Sequence, residues 1–272
     1  MTLPAVDIDP FYRRVLRTLL RQGLLQPQHA LLVVAGGAQD KAVLQELGFT
    51  NVTITNLDTR LNAADYTPYT WEYQDCEALT YADEQFDFTL VHWGLHHCFS
   101  PHTGLLQMYR VSRLGLILFE PHDNFLTRLG ARFQFGQTYE TEAVFYNQCA
   151  HGGVKNSAIP NYVYRFDRRE IVKTVAANAP YARHHFQFYY DLAPGTSVQH
   201  QRNPLRRYLL TLALPVLRLA TALAPPLCNR FAAVVLRPDL KRDLYPWLRL
   251  ENEIMSVNSA YLRQLYQDSA DL

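Results

Sequence analysis

The side chains able to do chemistry gather at the ends of apolar runs. Val33-Val-Ala-Gly-Gly-Ala38 closes the first such run and leads into a helical pattern. Its small residues let the backbone approach a ligand, and the unpaired N–H groups of a helix start favour a carboxylate. Asp58 closes a second run about 20 residues further on, where an acid can accept hydrogen bonds from both hydroxyls of a ribose. Asp75-Cys76-Glu77 follows a third run. An acid there can accept from an exocyclic adenine amine while the next backbone N–H bonds a ring nitrogen. Histidine is the commonest base for taking a proton from an oxygen or carbon nucleophile. The candidates are His92, His96, His97, His122 and His151. His97 and His122 follow the fourth and fifth runs. The competing reading has His96 and His97 capping or packing their turn, and an amine acceptor needs no dedicated base.

These residues need a scaffold that brings strand ends together. Pro10 to Arg21 carries Phe11, Val15, Leu19 and Leu20 at helical spacing. Ala30 to Ala35 is a continuous apolar run, the pattern of a strand buried on both faces of a parallel sheet. Ala38 to Leu47 reads as a helix stopped by Gly48. Asn51 to Asp58 is a second strand, Trp71 to Gln74 a third, Phe86 to His92 a fourth and Gly115 to Phe119 a fifth, ending at Glu120-Pro121. Pro101 to Val111 is a helix with proline in its first turn. Asp167 to Ala176 is another, with Asp167 as N-cap and Glu170 at capping-box spacing. Phe186 to Tyr190 and Phe231 to Leu236 are late strands. The alternation predicts an α/β fold: a Rossmann-like open sheet of about seven strands, helices on both faces, and an inserted lid after the fifth strand.

The expected organisation is one domain over 1–272. It comprises an N-terminal helix at 10–26, a ligand-binding core at 30–121, a lid or substrate wall at 122–165, closing helices and strands at 166–240, and a helical tail at 241–272. Phe133, Phe135, Tyr139, Phe145, Tyr146, Tyr162 and Tyr164 could line a pocket in the lid, although core packing explains most of them equally well. Arg128, Arg132, Arg165, Arg168 and Arg169 read first as a solvated face and second as an anion site. Asn203 to Ala224 is leucine-rich and broken by Pro215. A buried helix pair is its expected form, with a membrane-surface or dimer contact as the alternative.

Composition narrows the partners. The chain has 272 residues, 48% of them apolar and only 19% charged, which suits a packed globule and excludes intrinsic disorder. Its 26 Lys and Arg against 25 Asp and Glu give a net charge of +1, so nucleic acid is not expected as a main partner. Cys76, Cys98, Cys149 and Cys228 are scattered, with no CxxC pair and no zinc-finger histidine spacing, and predict neither a disulfide framework nor a metal site. Arginines inside the first apolar stretch speak against a signal peptide, and a cytoplasmic location is expected.

Ala30 to Phe119 resembles the class I S-adenosylmethionine-dependent methyltransferases of the broad small-molecule, type 11-like group. The stretch from Gln74 to His97 carries the likeness most strongly: an acid, a short turn through Leu79-Thr80, then Gln85-Phe-Asp87, an apolar strand and the ending Leu95-His-His97. Thr80 stands where that family usually has proline, and Gln85 where it has serine. Met108-Tyr-Arg-Val111 is similar as well. The resemblance implies S-adenosyl-L-methionine as cofactor. Ala35, Gly36 and Gly37 would wrap its methionine part, Asp58 its ribose, Asp75 and the Cys76 backbone its adenine. His92 and Trp93 would lie near the transferred methyl group. Val33 or Val34 occupies the place of the family's first-strand acid, and Ala38-Gln39-Asp40 replaces its last glycine, with Asp40 the nearest acid left. The implied activity is methyl transfer to a small-molecule acceptor at O or N, in secondary-metabolite or glycan biosynthesis, with His97 or His122 as base. A quinone-type C-methyltransferase, a binding or scaffold protein without catalysis, and a nicotinamide-dependent dehydrogenase are the rivals.

Overall fold

Continuous apolar runs become the buried strands of one sheet. In the computed structural model, which describes residues 8–133, 135–193 and 203–267, seven strands lie in the order β3-β2-β1-β4-β5-β7-β6. They are β1 (Leu31–Val34), β2 (Val52–Asn56), β3 (Thr70–Tyr73), β4 (Phe86–His92), β5 (Ser112–Pro121), β6 (His185–Asp191) and β7 (Arg230–Leu236). The first five are parallel, while β7 runs antiparallel to both β5 and β6. Strand order reverses between β1 and β4, and in open α/β sheets that switch, at the carboxyl edge, is where ligands bind.

Both faces of the sheet are covered, so β1 is apolar throughout. Leu31 and Val33 join one core with Tyr12, Leu16, Val43 and Leu44, while Leu32 and Val34 join the other with Leu105, Met108, Ile171 and Val175. The period of two divides one strand between two cores. The first core is closed by α1 (Pro10–Arg21) and α2 (Ala38–Glu46), the second by α3 (Pro101–Val111) and α6 (Arg168–Asn178). Asp167 caps α6 with the expected capping box, accepting from the Glu170 N–H at 2.8 Å.

Between β5 and α6 lies the segment expected to form the lid, which contains α4 (Phe125–Arg132), α5 (Thr141–Tyr146) and a tight turn at Val154–Asn156. Of the aromatic residues assigned there, Phe133, Tyr139, Phe145, Tyr146 and Tyr162 are exposed. Two expectations change. Asn203–Ala224 is not a buried pair: α7 (Pro204–Leu223) is one helix running through Pro215, and Thr221 is its only buried residue. The tail is not all helical either. Strands β8 (Leu248–Glu251) and β9 (Ile254–Val257) form a hairpin before α8 (Ser259–Gln267), because Asn252 and Glu253 supply the two left-handed positions of a tight turn. Residues 268–272 of the predicted tail lie outside the described residues.

Candidate active site

The turn after β1 is built for close approach. Ala35 adopts the left-handed conformation (φ +51°), and a Cβ on Gly36 would meet Val33 Cγ1 at 2.7 Å and Ile54 Cγ2 at 2.8 Å. Gly37 is the N-cap of α2 and leaves open space where a Cβ would be. Asp40 folds back beneath the turn, its Oδ2 accepting from the Gly37 N–H at 2.8 Å. The carboxyl is buried, which pushes its pKa up, and the buried hydroxyl of Tyr12 is its side-chain neighbour there. An acid thus returns to the region that the first strand leaves apolar, one turn later in the chain.

The next two strand ends bring their acids to one cleft of about 300 Å³, lined by Ala35, Asp58, Asp75, Cys76, Trp93 and His97 and by lid residues that include Asn147 and Lys155. Both acids have cationic neighbours that the sequence did not reveal. Asp58 accepts a two-pronged bond from Arg60 (Nε–Oδ1 2.8 Å, Nη2–Oδ2 2.6 Å), and this holds its carboxyl below the usual range. Arg60 also reaches Asn147 Oδ1 of the lid at 3.2 Å. Asp75 Oδ2 accepts from Lys155 Nζ at 2.7 Å, and Glu77 Oε2 lies 3.2 Å from the same ammonium. Glu77 in turn accepts from the Phe99 and Ser100 N–H groups and so fixes the turn into α3. Cys76 is buried, with its Sγ 3.0 Å from Cys98 Sγ.

At the end of β4, Trp93 takes a left-handed conformation (φ +59°), and a Cβ on Gly94 would lie 2.6 Å from Ala35 Cβ. The turns after β1 and β4 therefore touch. Beyond them His96 is sandwiched between carboxylates. Its Nδ1 lies 2.6 Å from Glu120 Oε2, while Glu120 Oε1 accepts from the Gly94 and Leu95 N–H groups at 3.1 and 2.7 Å. On the other side His96 Nε2 and His97 Nε2 each lie 3.4 Å from Glu140 Oε2, an oxygen supplied by the lid. Burial alone would strip the His96 proton, yet Glu120 and then Glu140 push its pKa up to about 10. Burial works against the Glu140 charge as well, but His96 brings that carboxyl down to about 2. For His97 burial wins, helped by the neighbouring imidazolium, and its pKa falls below 6.5.

Two predicted residues have other work. His92 Nε2 lies 3.3 Å from Asp9 Oδ2, and its ring stacks on Tyr12 at 4.3 Å, so it ties β4 to α1 and is not among the residues lining the cleft. Asp9 also accepts from Arg230 at 2.9 Å. His122 is buried between Tyr190 and Phe231, with its Nδ1 3.0 Å from the Cys228 carbonyl. It joins β5 to the closing hairpin and lies outside the cleft. His97 and Trp93 remain at the cleft from the predicted reactive set, with His96 in the wall behind them. Glu120 was legible only as a strand terminus, and Glu140, Asn161 and Lys155 carried no local signal at all.

The residues present fit S-adenosylmethionine: a left-handed turn at Ala35, open space at Gly37, and acids at the ends of β2 and β3 beside the strand-order switch. A family model described as a methyltransferase domain matches residues 33–119. No curated protein matches the sequence. Among solved structures, the YcgJ protein of Bacillus subtilis is 12% identical, with 83% of this chain and 99% of that one covered and a TM-score of 0.50. A SAM-dependent methyltransferase of Methanosarcina mazei is also 12% identical, with 85% and 99% covered and a TM-score of 0.48. At such identity the likeness to YcgJ speaks for the fold alone. The match over residues 33–119 is to a methyltransferase domain, and it supports S-adenosylmethionine over a nicotinamide as the cofactor.

Proposed function

We propose that the protein transfers the methyl group of S-adenosylmethionine to a small acceptor held between the β4 end and the lid, at an oxygen or nitrogen atom. The observation that carries this reading is His97, a neutral imidazole on the cleft wall beside Trp93 and Gly94. When bound, the cofactor supplies an electrophilic methyl carbon for in-line substitution, a reaction that depends on positioning and on keeping water out. Ala35, Gly36 and Gly37 would hold the methionine part, Asp58 the ribose, and Asp75 with the Cys76 N–H the adenine. His97 would take the acceptor's proton, and the lid segment carrying Asn147, Gly152 and Lys155 would shut the cleft. A lid drawn this close favours a small acceptor over a macromolecule.

Calorimetric titration with S-adenosylmethionine and S-adenosylhomocysteine, with NAD as control, tests the reading. Micromolar binding of the first two alone is the expected result, and silence from folded protein would defeat it. His97→Ala should cut turnover about a hundredfold, within the usual worth of a general base, and leave S-adenosylhomocysteine affinity unchanged. Because the His97 value is lowered, wild-type turnover should persist at pH 6.5 and decline only at more acidic pH.

A second reading concerns where the acceptor comes from. Leu205, Leu209, Leu212, Val216, Leu219 and Leu223 of α7 are exposed, spaced alternately by four and three residues along one stripe. The helix carries Arg206, Arg207 and Arg218 and no acidic residue. A stripe of that kind fits an anionic lipid surface, and a symmetric dimer through it would gather like charges. This favours a membrane-borne acceptor such as a quinone. Co-sedimentation with phosphatidylserine vesicles, lost in Leu212→Glu/Leu219→Glu, is expected; a concentration-dependent dimer with no vesicle binding would overturn it.

A further inference from the structure

We propose that His96, His97 and Glu140 form a site for one divalent first-row transition cation at the rim of the cleft, pinning the lid to the turn after β4. The three ligand atoms, two imidazole nitrogens and one carboxylate oxygen, lie within 4.8 Å of one another. Two of the separations are 3.4 Å. That is long for a charge-assisted hydrogen bond, which closes to about 2.7–2.9 Å. It is the separation that two ligands keep on one tetrahedral ion with bonds of about 2.0–2.1 Å, namely about 3.4 Å. The His96–Glu120 contact of 2.6 Å is, by contrast, a closed hydrogen bond.

The surroundings follow the pattern of a metal centre. A histidine ligand usually donates its other ring N–H to a carboxylate, which fixes the tautomer and raises the basicity of the ligating nitrogen. Glu120 does this for His96, and its own second oxygen is held by two backbone N–H groups, so the ring cannot rotate away. His97 has the Gly153 carbonyl against its ring. Asn161, buried to within 3%, donates to Glu140 Oε2 at 3.2 Å and to the His96 carbonyl at 3.1 Å, and its own Oδ1 has no partner. Charge balances too: a dication with Glu120 and Glu140 and two neutral imidazoles sums to zero. Two imidazoles and one carboxylate suit zinc, iron or cobalt, and leave a fourth position for a further ligand.

The inference deepens the proposed methyl transfer, on which its catalytic meaning rests. An acceptor bearing a hydroxyl could bind the fourth position, where the ion lowers the hydroxyl's pKa. With the ion bound His97 is a ligand, and the ion takes over from the free imidazole the task of easing the acceptor's deprotonation. Binding of the ion itself is independent of that chemistry.

Chelator-treated full-length protein should be titrated with Zn²⁺ by calorimetry. One ion per chain is expected, with affinity reduced at least about tenfold in His97→Ala and in Glu140→Gln. Both residues are partly exposed, at 28% and 30%, so the variants should fold. A parallel Co²⁺ titration should show ligand-field bands without sulfur charge-transfer absorption. No binding, binding unchanged in both variants, or sulfur bands assigning the ion to Cys76 and Cys98 would each overturn the site. S-adenosylhomocysteine titration of the same samples separates the two readings: binding of the nucleoside without the ion rejects only the metal site, and the ion without the nucleoside rejects only methyl transfer.

Discussion

Glu120→Ala is expected to lower the unfolding free energy by about 3–5 kcal/mol, the usual cost of breaking a buried ion pair from one side. Glu120 is fully buried, and its carboxylate serves the His96 ring and the Gly94 and Leu95 N–H groups at once. Truncation leaves a buried imidazole facing a cavity and two backbone donors without an acceptor. The urea midpoint should fall with little change in slope, because the surface exposed on unfolding is nearly the same. A loss under about 1 kcal/mol, the size of one ordinary hydrogen bond, would show that the His96–Glu120 pair is not the desolvated contact described.

The pH dependence of the same pair has a definite sign. The folded-state value of His96 is raised from 6.5 to about 10, so its contribution is complete below pH 6.5 and is lost as pH climbs through 10. Glu140 is lowered from 4.5 to about 2, so its contribution is complete above pH 4.5 and is lost as pH falls toward 2. Wild-type stability should therefore decline from pH 7 to 10 more steeply than that of Glu120→Ala. Parallel curves would reject the assignment.

Strand positions were legible because burial on both faces of a parallel sheet favours continuous apolar runs: Leu31 to Val34 is apolar throughout, and Phe86 to His92 departs from it only at Asp87, Thr89 and His92. Helix α6 was legible from its cap. The close-approach turn through Ala35, Gly36 and Gly37 was legible from small residues after a strand. Side-chain pairing across the cleft was not. Asp58 and Asp75 look like free ribose and adenine acceptors in the sequence, yet Arg60 and Lys155 hold them, and Lys155 stands 80 residues from its partner. Glu140 meets His96 through a lid with no repeating period. His122 shows the opposite error: a histidine after a catalytic-edge strand reads as reactive, but a neighbouring carbonyl and two aromatic rings make it part of a joint. For α7 the leucine content suggested burial, whereas the missing information was whether any other element would cover it.

Asp75→Ala should weaken S-adenosylhomocysteine binding by about 1–3 kcal/mol, the cost of removing a charged hydrogen-bond partner, and the size of the loss should depend on Lys155. In the structure Lys155 Nζ bridges Asp75 and Glu77 from a residue in left-handed geometry (φ 47°, ψ 42°), a sparsely populated conformation for a lysine. An adenine amine bonded to Asp75 would have to share that carboxylate with the ammonium or displace it. Where displacement costs binding energy, Lys155→Ala tightens the nucleoside while Asp75→Ala loosens it, and the double variant falls short of their sum. Residues in direct contact show such coupling of about 0.5–3 kcal/mol. The cycle is read by calorimetry, with thermal unfolding of each variant confirming an intact fold. Asp58→Ala run alongside should give a comparable loss, since its carboxylate is likewise shared with Arg60. Strict additivity in the Asp75 and Lys155 cycle would mean that adenine binds without touching the ion pair, and the lid's role would then be confined to the acceptor side. A coupled cycle would make Lys155 a competitor for the Asp75 carboxylate, through which the segment carrying it responds to the adenine.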